Sequence, residues 1–190
     1  MKKILSLTAL VAVFATGSAL AASVPVTTFS PASAKVNAEY SFAQNVSNMD
    51  DHKTGYGASL EVGLTDKVAA QYAYSKVKSD NPNLSVHELM GIYKLTNNFN
   101  LYGGMTHLSG GTTSTGFQVG AIGHMPLAPK WNGFAKVGFG NDIKQTYSLG
   151  ASYDLLSNLA LNLYYQYDKY DYDNYNYSVK GFHAGVGLSF

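Results

Sequence analysis

From Lys35 to Phe190 apolar and polar residues alternate with a period of two, segment after segment. That pattern limits the chain to β-strands whose two faces meet different surroundings. In the first segment Val36, Ala38, Tyr40 and Phe42 alternate with Lys35, Asn37, Glu39 and Ser41. In the second, Tyr56, Ala58, Leu60, Val62 and Leu64 stand opposite Gly57, Ser59, Glu61 and Gly63. The pattern returns around residues 68–75, 87–95, 99–106, 116–125, 132–139, 145–154, 159–167 and 181–190. Ten segments of about 8–11 residues match strands that cross a bilayer at a tilt. Met90, Ile92, Tyr102 and Ile122 fall on the polar side of their segments, which leaves a count of eight strands open as the alternative.

The connections alternate as well. Residues 65–67, 96–98, 125–131 and 155–158 form a short set, and residues 43–54, 76–86, 107–115, 140–144 and 168–180 a generally longer, more polar one. The expected fold is an all-β, transmembrane, antiparallel up-and-down β-barrel with short turns below and longer loops outside. A soluble barrel would share the period with its faces inverted. Charge separates the two. The apolar faces carry no charged residue, while the opposite faces carry Lys35, Glu39, Glu61, Glu88, Lys94, Lys136 and Asp154. Aromatics on the apolar faces gather near the segment ends, with Tyr40, Phe42, Tyr72, Tyr165 and Phe182 at the loop ends and Tyr93, Phe99, Trp131 and Phe190 at the turn ends. Aliphatic and small residues fill the band between, an order that headgroup interfaces favour and a soluble core does not.

Composition narrows the rest. The chain has no cysteine, which excludes disulfides and thiolate metal sites, and a net charge of +1 without a basic run, which argues against nucleic acid as a partner. Met1-Lys2-Lys3, the apolar run to Gly17 and Ser18-Ala19-Leu20-Ala21-Ala22 read as a secretory signal peptide over 1–22. Residues 23–34, with Pro25 and Pro31, read as a flexible lead-in, and 35–190 as the barrel.

In the last segment Phe182, Ala184, Val186, Leu188 and Phe190 alternate with Gly181, His183, Gly185, Gly187 and Ser189, and Phe190 ends the chain. With the signal peptide, this resembles the bacterial outer-membrane β-barrel family, most of all its small OmpA-transmembrane and OmpX-like members. The resemblance implies residence in the outer membrane and contact with its lipids and lipopolysaccharide. It also implies recognition of the last strand, through Phe190, by the barrel-assembly machinery.

Three regions remain as candidates for function. Lumen charges Glu39, Glu61, Glu88, Lys94 and Lys136 would either pair as a plug or line a gated narrow pore. Residues 164–177 hold seven tyrosines among acids and amides. Tyr170, Tyr172, Tyr175 and Tyr177, with Asp171 and Asp173, are expected to project outward as a contact surface for an extracellular partner. His107-Leu108-Ser109 copies the His-x-Ser spacing of outer-membrane lipid hydrolases, but Ala121 stands where those families carry an orienting Asn or Glu. The expectation is a non-enzymatic barrel without cofactor or metal, structural or surface-interacting, with a narrow or plugged polar lumen. A small-solute pore is the second reading and a lipid-modifying enzyme the third.

Overall fold

A computed structural model describes residues 29–47, 53–78, 84–172 and 175–190. The signal-peptide segment and residues 23–28 of the lead-in lie outside the described residues. Ten strands follow one another: β1 (Ala34–Val46), β2 (Lys53–Gly63), β3 (Val68–Val77), β4 (Leu84–Lys94), β5 (Phe99–Gly110), β6 (Thr112–Ala128), β7 (Trp131–Gly140), β8 (Ile143–Leu156), β9 (Leu159–Tyr172) and β10 (Tyr175–Ser189). Each pairs antiparallel with its neighbours in sequence, and β1 pairs β10, so the sheet is a closed barrel. Closure leaves no strand edge to be capped. The count is ten, and the eight-strand alternative falls.

The seam between first and last strand runs from Lys35 opposite Ser189 to Val46 opposite Val179. Beyond it, Phe190 N–H donates to the Ala34 carbonyl at 2.8 Å. Two of the tight turns share one chemistry. In Leu64-Thr65-Asp66-Lys67-Val68 and Leu95-Thr96-Asn97-Asn98-Phe99, the threonine hydroxyl accepts a backbone N–H from within the turn, from Lys67 at 3.2 Å and from Asn98 at 3.2 Å. Such hydroxyl caps satisfy turn amides that the ladder leaves free.

Several strands run further than the alternation suggests, for two physical reasons. In β1 a bulge interrupts pairing with both neighbours, and Ala43 sits in it at φ 51°. One extra residue flips the faces, so Gln44 and Val46 turn inward where strict alternation would point them out. In the 107–115 segment, read as a loop, β5 and β6 continue as a hairpin that closes at Gly111, whose φ of 80° suits glycine. The 168–180 segment is likewise a hairpin of β9 and β10, with Tyr172 opposite Tyr175.

The outward face carries the large exposed apolar side chains. Tyr40, Tyr72, Phe117, Tyr147 and Phe182 lie towards the loop ends, Tyr93, Phe99, Trp131 and Phe190 towards the turn ends, and Leu149, Leu161 and Val186 between them. Aromatic rings meet across strands, as in Phe42 against Phe182 with centroids 6.0 Å apart and Tyr165 against Phe182 at 5.2 Å. Met90, Ile92, Tyr102 and Ile122 are not register errors. All four point inward and are buried together with Ala69 and Phe29. Phe29 belongs to the segment read as a flexible lead-in. Instead it enters the turn-end mouth, while a turn at Ser30–Ser33 hydrogen-bonds to Gly63 through Ala32 N–H and the Ser33 carbonyl.

Candidate functional site

The candidate site is the lumen, which falls into three layers. At the loop end, Val46, Val77, Leu84 and Val86 meet Leu108, Ile143, Tyr170 and Val179 in one buried apolar cluster. At the turn end stands the cluster around Met90, Ile92, Tyr102, Ile122 and Phe29. A polar layer lies between them. Inward glycines make its bulky members fit. A Cβ on Gly138 would fall 1.9 Å from the Tyr102 hydroxyl, and one on Gly150 would fall 2.2 Å from the Tyr164 Cβ. The Tyr102 ring of β5 therefore rests on a glycine two strands away, on β7, and the Tyr164 ring of β9 on a glycine of the adjacent β8.

Along the lumen three groups of charge can be distinguished. Glu39 accepts a hydrogen bond from the Tyr164 hydroxyl, and its other carboxylate oxygen lies 3.2 Å from His183 Nδ1. The His183 and Tyr164 rings stack at 4.7 Å, and Phe134 packs on Tyr164 at 5.7 Å. Lys136 sets its ammonium 4.9 Å above the Tyr102 ring centroid, with Glu88, Asp168 and Glu39 as acidic neighbours. A cation against the negative face of an aromatic ring is attracted by its quadrupole. From Tyr102 a hydrogen-bonded chain crosses the lumen. Its hydroxyl donates to Gln118 at 3.3 Å, and Gln118 donates to Thr146 at 3.2 Å. Thr146 donates to Asp168 at 2.6 Å, and Gln166 donates to the same carboxylate at 2.7 Å. Towards the turn end, Lys35 has Glu61 and Asp154 as its acidic neighbours, and Glu61 stands opposite it in the register.

The lumen charges read from sequence thus point inward, but they do not form one cluster. Glu39 sits with Tyr164 and His183, Glu61 with Lys35, and Glu88 with Lys136. Lys94 lies at the turn-end mouth, 5.9 Å over the Phe29 ring. Asp168, Tyr164 and His183 were missed. The sequence reading places Asp168 in a loop, although Asn162, Tyr164, Gln166, Asp168 and Tyr170 continue one face of β9. Carrying the period past Tyr167 would have found it.

Of the loop candidates, Tyr170 is a correction. It turns into the lumen, 4% exposed, because the β9 period runs on and the apolar lid needs it. Tyr177 is partly buried against the same lid and stacks on Tyr170 at 5.2 Å. Asp171 is exposed, with its carboxylate 3.8 Å from the Lys144 ammonium. Tyr172 and Tyr175 are paired at the hairpin end, and Asp173 lies outside the described residues. In the His-x-Ser segment, Leu108 is fully buried and His107 points out, its Nδ1 2.8 Å from the Thr115 hydroxyl.

A cavity of about 40 Å³ lies between Glu39, Ser41, Glu88, Gln166, Asp168 and His183. That holds a few water molecules. Solved structures that the chain resembles include three small outer-membrane barrels. The chain is similar to small outer-membrane β-barrels. It aligns with Neisserial surface protein A at 15% identity and a TM-score of 0.45, covering 83% of this chain and 96% of that one. For Ail, the attachment invasion locus protein of Yersinia pestis, the values are 12% and 0.43, with 85% and 100% covered. The N-terminal barrel domain of Pseudomonas aeruginosa OprF gives 13% and 0.41, with 84% and 98% covered. No protein family matches the chain in sequence, and neither does any curated protein.

Proposed function

We propose that this chain is an integral outer-membrane protein whose barrel is closed to solutes and serves a structural or surface-interacting role. What supports the reading is an apolar exterior together with an interior that holds two buried apolar clusters. Leu149, Leu161 and Val186 face outward uncharged between two aromatic zones, an order that lipid rewards. Inside, an apolar lid and an apolar plug flank the charges, so an ion would have to shed its water twice to pass. Between them the hydrogen-bonded chain from Tyr102 through Gln118 and Thr146 to Asp168 runs across the lumen rather than along it.

No catalytic role belongs to this reading. The group beside His107 Nδ1 is a threonine hydroxyl, not the carboxylate or amide that would hold the ring as a base. Vesicles with the reconstituted protein are therefore expected to retain small sugars as well as protein-free vesicles do, and to release no fatty acid. Sugar efflux that scales with protein content would replace the closed barrel with a small-solute pore.

Assembly is the second element of the proposal. Phe190 is exposed and its backbone completes the β1–β10 seam, so the last strand presents its aromatic where an assembly factor can read it. Deleting Phe190 is expected to cut the amount of folded barrel in cells severalfold while leaving refolding into detergent nearly unchanged. An equal loss in both settings would make Phe190 a stability residue instead.

A further inference from the structure

On the exterior near the loop ends, a row of polar side chains crosses four adjacent strands. Tyr72 on β3, His87 on β4, His107 on β5 and Thr115 on β6 belong to it. The register sets His87 directly opposite His107, and His107 opposite Thr115. The Tyr72 hydroxyl lies 2.8 Å from His87 Nδ1, and the Thr115 hydroxyl 2.8 Å from His107 Nδ1. The two imidazole centroids are 6.1 Å apart. One step towards the turn end the same face is apolar again, with Leu89, Met105 and Phe117 exposed. The row fills no part of the lumen.

We propose that His87 and His107 form a two-histidine chelate for a divalent transition-metal ion such as Zn²⁺. Each ring has its Nδ1 beside a hydroxyl from a flanking strand, which leaves the two Nε2 atoms for a ligand. In the tautomer whose Nδ1–H donates to the hydroxyl oxygen, the lone pair lies on Nε2, the form that binds metal. Two imidazoles bound through Nε2 at ~2.0–2.1 Å keep their centroids about 5–6 Å apart, so the observed spacing needs only a small rotation of the rings. Strand pairing holds both side chains in place beforehand, which lowers the entropy lost on binding. An anion would need protonated rings, whereas neutral rings take a metal at neutral pH. Among the described residues no group of three or more His, Cys, Asp or Glu could hold an ion, so water completes the coordination. The site does not depend on whether the lumen conducts.

Zn²⁺ titrated calorimetrically into the untagged chain, folded in detergent at about pH 7.5 where imidazole is neutral, tests this. One saturable site per chain is expected. His87→Phe and His107→Phe should each weaken it at least tenfold, since a two-ligand site does not survive the loss of either. Phenylalanine keeps ring packing at both positions, and heat-modifiable migration verifies folding. Thr115→Val should weaken binding about tenfold by freeing the His107 ring, and His124→Ala should leave it unchanged. The absence of a saturable site, or a site that persists in both phenylalanine variants, would overturn the proposal.

Discussion

Lysine in place of Val186 is expected to lower the unfolding free energy in lipid vesicles by about 2–4 kcal/mol, the cost of a lipid-facing charge near the bilayer midplane. Val186 lies outward on β10, opposite Ala38 on β1 and Leu161 on β9, midway between Phe182 and Phe190. Its side chain is 44% exposed in the isolated barrel, so the substitution disturbs no internal packing and reads the surroundings alone. Asn176→Lys, at the exposed end of the β9–β10 hairpin, is the matched control and should stay within about 0.5 kcal/mol. Denaturant titration of both variants in vesicles makes the comparison. If Val186→Lys is as stable as the parent chain, the apolar exterior does not face lipid.

Lys136→Met acts from the other side of the wall and is expected to cost about 3–5 kcal/mol, because it leaves buried acids without their cation. Methionine keeps the stem that packs over Tyr102 while removing the charge that faces Glu88 and Asp168. The variant's deficit should shrink as pH falls through the carboxylate range, because acid discharges the groups that the lysine had balanced. Parallel denaturation curves at neutral and acid pH test this directly. A deficit that does not change with pH would mean that Lys136 contributes packing rather than charge balance.

Most of the architecture was legible in the sequence, because a barrel whose two faces meet different surroundings writes itself as alternation. The ten strands and the separation of their two faces follow from that single period. The misses have local causes. At Ala43 a bulge reverses the faces, and nothing in Phe42-Ala43-Gln44 announces it. Met90, Ile92, Tyr102 and Ile122 broke the apolar-out rule because the lumen is not uniformly polar. Its turn-end layer is a small apolar core completed by Phe29 from outside the strands. Tyr170 was misplaced for the related reason that the outer lid is apolar too. What the period could not give is which charge meets which, since Glu39 and Tyr164 are far apart in sequence and meet only when the barrel closes. The glycines at Gly138 and Gly150 were legible as small inward residues, but not as the hollows beneath Tyr102 and Tyr164.

Sealing of the lumen is the claim on which the functional reading turns, and single-channel recording in planar bilayers tests it most directly. The parent barrel is expected to insert without a steady conductance, and Lys136→Met is expected to add no lasting open state while the two apolar layers stay in place. A steady, reproducible conductance in the parent chain, changed in size or selectivity by Lys136→Met, would show that ions pass the lid and the plug, and would contradict the closed barrel.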